Sequence, residues 1–526
     1  MSFLAPSTSS LQITGIIGKG AKLDDSQWQQ CVSLSCDEFL VSKLEHGPLG
    51  NSPHTASIHV LDDDSLLNIF YLYRPAILDA DEDDAQRILG GKRWNLERWW
   101  YKLAQVCQRW RIILLGSASY LGLCLVCTYG TPVEDMLAQS PPLPLVIDYY
   151  QEHRDTTAEE KGIIFALGRR DRVRSVRLGI SLPNLPTERL IMSIDKEYPV
   201  LEYLIIVGEG RSTALMLPET FQAPRLRHLT LKGFALPIQS RLLTNAVDLI
   251  TLCLYMDPSS YFQPSTLLQW ISLMPQLEIL LISSLNNRDF ERQPMHTPIT
   301  THVTLHNLRW FAFQGGSAYL EAVVSQITTP RLEAFGIEFF EQPTFSIPHL
   351  VQFMNTTKNL RFDSARFEFS SNRFGAKFYS REEDKTDVLS ICLYDWHFDW
   401  QVSSVAQIFN SLRQIFYVVE HLTLEQEVHS HDVVNRSNWI HLLRSFSNVK
   451  TLHVEDRLIR ELSRCLVYSE EYPLGLLPEL QELTYSGSRN ADRFTSFIEG
   501  RQNAGRPVTL MCHSPSTPSV SSTSSS

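Results

Sequence analysis

The chain lacks the short signatures that most often mark catalysis. Neither Gly-x-Ser-x-Gly nor His-Glu-x-x-His occurs in its 526 residues, which removes the nucleophile elbow of many hydrolases and the paired helical histidines of many zinc proteases. Gly15-Ile16-Ile17-Gly18-Lys19-Gly20 has neither phosphate-loop spacing nor a Ser or Thr after its Lys. The nine cysteines are scattered and odd in number, so no disulfide framework is expected. No leader with a basic start, apolar centre and small-residue exit opens the chain, and a reducing cytoplasmic or nuclear setting fits best. Cys124-Leu125-Val126-Cys127 is a single Cys-x-x-Cys whose thiols point to opposite faces of a strand, with no second pair at zinc spacing. His429-Ser430-His431-Asp432 reads as a loop after a strand, so no metal or other cofactor is expected. A net charge of -11, from 47 basic and 58 acidic residues, argues against nonspecific nucleic-acid binding. Ile112 to Val133 is the one long uncharged stretch. Gly116, Ser117, Ser119, Gly122 and Thr128 dilute it, and no membrane span is expected.

What the chain does have is one short phrase repeated, apolar-x-x-apolar-x-apolar, usually entered by Pro or Asn. Its copies are Val173/Val176/Leu178, Leu201/Leu204/Ile206, Leu226/Leu229/Leu231, Leu249/Leu252/Leu254, Leu277/Leu280/Ile282, Leu308/Phe311/Phe313, Leu332/Phe335/Ile337, Val419/Leu422/Leu424, Val449/Leu452/Val454 and Leu480/Leu483/Tyr485. Apart from the gap after Leu332, starts fall about 23 to 31 residues apart, near the leucine-rich-repeat period. In a strand the last two apolar positions of each phrase point inward and the residue between them outward, while the first reaches the core from a turn. Between phrases the period changes to a helical one, as in Leu267, Leu268, Ile271 and Leu273, or Ile440, Leu442, Leu443 and Phe446.

A unit this small cannot bury its apolar face alone, so neighbours must stack. The predicted architecture is α/β: a short N-terminal helical unit followed by a leucine-rich-repeat-like solenoid, a curved parallel sheet with outer helices. The rhythm breaks once. Leu360 begins a phrase that is not completed, and Ser370 to Lys385, with Arg373, Lys377 and Arg381, intervenes before Leu389, Ile391 and Leu393 resume. An irregular repeat or an insertion is expected there, read as an irregular loop. Arg169, Arg170, Arg172, Arg174 and Arg177 interleave with the first phrase and read as its solvated side. Expected boundaries are a largely disordered segment over 1–56, a helical domain with an acidic insertion over 57–120, the array over 121–511 and a disordered Ser/Thr/Pro tail over 512–526.

Ahead of the array, Asp62 to Asp64 suit a helix start, followed by an apolar stripe of Leu66, Ile69, Phe70 and Tyr73. An acidic connection, Asp79 to Asp84, leads to a second stripe of Leu103, Val106, Cys107 and Trp110. The pair resembles the F-box, whose opening runs Leu-Pro-x-Glu-x-Leu-x-x-Ile-Phe and whose second half carries Val-Cys-x-x-Trp. Leu61, Leu66, Ile69 and Phe70 match the first, and Val106, Cys107 and Trp110 the second. Asp62 stands where the family usually has Pro, and the acidic insertion is longer than usual. From Leu125 to Val133, and from Phe497 through Asn503 to Leu510, the chain is also similar to fungal F-box-like proteins with repeat-containing C-terminal regions.

That resemblance implies a non-catalytic substrate-recognition subunit of an SCF-type (cullin-RING) ubiquitin ligase. Leu61, Leu66, Leu67, Ile69, Phe70, Val106 and Trp110 would dock on a Skp-type adaptor of the cullin complex, and the repeats would hold a target protein, with no nucleic acid or membrane as partner. From the repeat pattern itself, Arg227, Thr230, Glu278, Trp310, Glu333, Thr423 and His453 are candidate exposed target-binding positions. The alternative is a repeat-based interaction scaffold without ligase association. An enzyme with its site near Trp396, His397, Asp399 and Trp400 is the third class.

Overall fold

A computed structural model describes residues 61–74, 98–149, 157–180, 187–208, 215–237, 239–256, 260–284, 301–340, 346–381, 387–394, 397–427, 435–466, 476–486 and 491–513. The expectations for residues 1–56, Asp79 to Asp84, His429 to Asp432 and the tail beyond His513 lie outside the described residues. Contacts divide the chain into two compact units, Met1–Leu204 and Ile205–Ser526.

In the first unit, helix α1 (Asp63–Tyr73) precedes α2 (Trp99–Ala104), α3 (Gln108–Gly116) and α4 (Ala118–Leu121). Asp62 caps α1 as its sequence predicts, its carboxylate accepting the Ser65 N–H at 2.6 Å. Strands β1 (Leu125–Thr128), β2 (Leu145–Tyr149) and β3 (Val173–Ile180) follow, with α5 (Val133–Gln139) and α6 (Thr157–Leu167) between them, then α7 (Thr187–Ser193). The strands pair parallel, with Cys127 opposite Ile147 and Ile147 opposite Val176. Of the uncharged stretch, only Leu125–Thr128 is strand: Leu121 ends α4, and Gly122 at φ 63° turns the chain out of it. Arg177 corrects the solvated reading of its stretch. It is 7% exposed, in register beside the equally buried Asp148. Strand β4 (Tyr203–Gly208) lies at the division between the units.

The second unit is built on β5 (His228–Lys232), β6 (Thr251–Met256), β7 (Ile279–Ser284), β8 (Trp310–Gly315), β9 (Ala334–Phe339), β10 (Ser364–Phe369), β11 (Arg373–Tyr379), β12 (Leu389–Tyr394), β13 (His421–Gln426), β14 (Thr451–Val454), β15 (Glu482–Ser486) and β16 (Thr509–His513). The main connecting helices are α8 (Arg241–Thr244), α9 (Pro264–Ile271), α10 (Ser317–Val324), α11 (Pro348–Thr356), α12 (Phe398–Ser411), α13 (Arg413–Phe416), α14 (Arg436–Leu443), α15 (Ile459–Cys465) and α16 (Thr495–Asn503). Pro264 and Pro348 open their helices, where the missing N–H costs nothing.

Every apolar position of the ten phrases is at most 3% exposed. The turn that opens the phrase is also regular. Leu226, Leu249, Leu277, Leu308, Leu332, Val419, Val449 and Leu480 each donate their N–H to the carbonyl three residues back, which swings that side chain into the core before the strand starts. Asn307 and Asn359 donate their side-chain amides to the carbonyls of Pro275 and Pro330 one repeat earlier, at 3.0 and 2.9 Å. At these two phrase starts the Asn satisfies the turn carbonyl that the neighbouring repeat's Pro exposes.

The break in rhythm is a rearrangement of the sheet. Strand order is β5-β6-β7-β8-β9-β12-β11-β10-β13-β14-β15-β16, with β11 antiparallel to both β10 and β12 and the other pairs parallel. The expected irregular loop is thus corrected: Arg373 to Tyr379 is a central strand with Phe374, Ala376 and Phe378 inward and Arg373 and Lys377 outward. Three strands here replace one, with α12 and the short α13 following them, and aromatic side chains fill the wider core. The Phe367 ring lies 5.5 Å from Phe374, 5.2 Å from Phe409 and 5.4 Å from Phe446, while Phe369 lies 5.5 Å from Trp439. Buried Gln401 of α12 donates to the Ser370 carbonyl at 3.0 Å, holding the hairpin turn onto the helix.

Candidate functional site

The helical pair is assembled on β1. Trp100 donates its indole N–H to the Cys124 carbonyl at 3.2 Å, and Arg98 donates to Thr128 Oγ1 at 2.8 Å. Arg109 of α3 donates to Asp63 Oδ1 at 2.7 Å and to the Leu61 carbonyl at 2.6 Å, clamping α3 to the start of α1. Leu66 and Phe70 are fully buried, and Phe70 meets Trp110 edge to face at 4.9 Å. This corrects their place in the predicted docking set: they are the core of the helical pair, closed to a partner. Leu61, Leu67, Val106 and Trp110 are half-buried. Of the seven, Ile69 alone is exposed.

Beyond Ile69, the apolar residues that α1 presents stand outside the predicted docking set. Leu72 is 81% exposed, and Tyr71 and Tyr73 about half, beside Ile69. Ile112 on α3 is exposed as well. The last turn of α1 is therefore apolar all round, a signal available in Ile69-Phe70-Tyr71-Leu72-Tyr73 itself, since a helix of that kind is normally covered on every side.

On the second unit, the sheet face turned away from the helices carries the alternate residues of each strand. Across β6 to β9 two registered rows hold no charge: Thr251, Ile279, Trp310 and Ala334, and beside them Cys253, Leu281, Ala312 and Gly336; Thr251, Cys253 and Leu281 are buried and the other five partly exposed. Trp310 is the largest side chain among them and is partly exposed. A polar rim bounds the rows on both sides. Arg309 and Glu333 pair at 2.7 Å at the leading side. At the trailing side Ser283 donates to Gln314, and Gln314 donates to Glu338.

The seven predicted target-face residues fall into separate groups. Glu278, Trp310 and Glu333 come together, the Trp310 N–H donating to the Glu278 carbonyl at 3.0 Å. Thr423 and His453 are register neighbours on β13 and β14, beyond the inserted strands. Arg227 is exposed at the turn into β5. Thr230 is a correction, being only 3% exposed between its strand neighbours.

Over β10 to β14 the same face becomes charged. Arg366 pairs with Glu425 at 3.5 Å and Lys377 with Glu368 at 3.9 Å. Burial pushes the Glu425 carboxyl up, against the pull of Arg366, and nearby Glu368 and Glu455 push it further. Arg373 donates to Cys392 Sγ at 2.9 Å.

Asp399 accepts the Asn435 N–H and the Asn438 amide, both at 2.9 Å, and so anchors the start of α14. His397 rests against the exposed Trp400 ring at 5.6 Å. Trp396 lies outside the described residues. Cys124 and Cys127 are both buried on β1 or beside it, and burial pushes the Cys127 thiol up to about 12. Among the described residues no group of three His, Cys, Asp or Glu side chains is placed to hold a metal, and no helix is long and apolar enough to cross a membrane.

No protein-family model matches the chain, and no curated protein matches it. Among solved structures it is similar to a chain of the TLR13–ssRNA13 complex, at 12% identity and a TM-score of 0.30, over 74% of this chain and 49% of that one. It is also similar to the leucine-rich repeat-containing protein LegL7 from Legionella pneumophila, at 11% identity and a TM-score of 0.24, over 65% of this chain and 84% of that one. The chain spans about half the length of the first.

Proposed function

We propose that this chain is a non-catalytic, repeat-based protein-interaction scaffold whose sheet face binds a partner protein at the uncharged rows around Trp310. An uncharged centre carrying one large aromatic, framed by hydrogen-bonded polar groups, is the anatomy of a protein-binding hot spot. That arrangement across β6 to β9 is the observation that supports the reading. Alanine at Trp310 removes the anchor without touching the inward core, and should weaken partner binding by about 2 kcal/mol or more. Titration of a captured partner against wild type and Trp310→Ala measures it; equal affinities would exclude Trp310 as the anchor.

A second reading is favoured by the apolar last turn of α1. Here the chain is the target-holding subunit of an SCF-type ubiquitin ligase, and Ile69, Leu72 and Tyr73 with Ile112 dock on a Skp-type adaptor. Covering these side chains releases water from apolar surface, at about 25 cal/mol per Å². Co-expression with a Skp-type adaptor, followed by size-exclusion chromatography of wild type and Leu72→Asp, tests it. A complex formed by wild type and lost in the variant supports the ligase role; folded wild type eluting alone leaves the scaffold without it.

A further inference from the structure

The inserted strands are tied to the resumed repeat array by a contact whose chemistry depends on a single proton. His421, the first residue of β13, has both ring nitrogens engaged: Nδ1 lies 2.6 Å from Thr451 Oγ1, and Nε2 lies 3.5 Å from Arg381 Nη1. A guanidinium has only donors, so Nε2 must face it with its lone pair. The ring proton therefore sits on Nδ1 and is donated to Thr451. His421 is neutral and of one tautomer, fixed by its partners.

Arg381 lies just past the end of β11, and its side chain reaches across β10 to β13. We propose that His421 and Arg381 form a proton-controlled latch: neutral His421 holds the end of the inserted antiparallel strand, and protonated His421 releases it. Protonation places an N–H on Nε2 opposite the guanidinium N–H groups, which turns an acceptor into a donor and adds a like charge. Three other charged groups bear on the ring. Glu420 is bound to Lys450 at 2.7 Å. Asp363 accepts the Arg381 N–H at 3.2 Å and the Ser364 hydroxyl at 2.7 Å. Both carboxylates are thus engaged elsewhere and offset the repulsion only in part. Burial and then Arg381 hold the imidazole below the ordinary histidine range, while Asp363 and Glu420 pull the other way.

The latch sits beside Thr423 and His453 on the charged part of the sheet face, so its release both loosens and recharges that part. It is independent of which partner the face holds. The test uses the full chain with nitrogen-labelled histidine, the His421 signals being identified by their loss in His421→Gln. At pH 7.5 His421 should be the Nδ1–H tautomer, and its titration midpoint should move upward in Arg381→Gln. Hydrogen exchange over residues 373–381 should speed up on acidification in wild type and lose that response in His421→Gln. An Nε2–H tautomer, a midpoint unmoved by Arg381→Gln, or the same acid response in both proteins would each overturn the proposal. Unchanged signals from the other histidines show that each variant has kept its fold.

Discussion

Replacing Phe367 by Ala should destabilise the second unit by about 3 to 5 kcal/mol, the range for a fully buried aromatic. The side chain is inaccessible to solvent, and its ring is flanked by Phe374, Phe378, Phe409 and Phe446 at centroid distances of 5.5, 6.1, 5.2 and 5.4 Å. Loss of its apolar burial alone accounts for about 1.5 to 3 kcal/mol. The cavity supplies the remainder, because the surrounding rings are held on β11 (Phe374 and Phe378), on α12 (Phe409) and just past α14 (Phe446), which limits collapse. Phe367→Leu keeps most of the volume but loses the ring geometry, where aromatic pairs add about 0.5 to 1.5 kcal/mol beyond area, and should cost about 1 to 2 kcal/mol. Native-state hydrogen exchange over β10, β11 and β12 reads the opening free energy of this region without requiring the whole chain to unfold in one step. If Phe367→Ala lowers it by less than about 1.5 kcal/mol, or if the loss appears in β5 and β6 instead, the aromatic core does not hold the inserted strands.

Leu66→Asp buries a charge between α1 and α3 and should unfold the helical pair, whereas Leu72→Asp should leave helicity and proteolytic resistance unchanged; circular dichroism and limited proteolysis separate them. Arg501, 1% exposed, donates to the Pro478 and Leu480 carbonyls, both at 3.0 Å, so Arg501→Met should cost about 2 kcal/mol and speed exchange in β15, as read by the same exchange experiment. Iodoacetamide at pH 8, followed by mass mapping, should label exposed Cys512 well before Cys253, whose thiol burial pushes up to about 12. Because the folded pKa of His421 lies below its unfolded value, the unfolded chain takes up the proton first. His421 should then cost stability as pH falls from about 6.5 toward its folded value, and denaturation midpoints of wild type and His421→Gln across pH 7.5 to 5 should diverge in that direction.

The repeat array was legible because its phrase encodes a local event, a turn that tucks in one side chain and a strand that tucks in two more. Each copy repeats that event whatever its neighbours do. The inserted strands were not legible for the same reason. Ala365, Phe367 and Phe369 alternate as any strand does, and so do Phe374, Ala376 and Phe378; Ser370-Ser371-Asn372 between them marks a turn but does not say that the chain runs straight back beside itself. Nothing local records that β12 rather than β10 lies next to β9.

At the helical pair, the stripe of Leu66 and Phe70 marked an apolar face correctly. It could not say that Trp110 covers that face, because a stripe gives direction and not the partner. The apolar last turn of α1 was visible in the residues, but Tyr71 and Leu72 stand outside both that stripe and the motif positions that carry the F-box resemblance. On the sheet, Thr230 followed the alternation outward as predicted. Its burial, at 3% exposed beside Cys253 of β6, is a tertiary fact that sequence spacing does not describe.

The central claim is that partners bind the uncharged rows of the sheet face. A photo-cross-linking residue placed at Trp310 in one full-length protein and at exposed Leu273, just past α9, in another tests it most directly. After irradiation in cells, position 310 should form a discrete adduct with a specific protein, and the band should vanish when Ala312 and Gly336 are both changed to Glu, while position 273 should not give it. The same adducts from both positions, or an adduct at 310 that survives the double substitution, would contradict the claim.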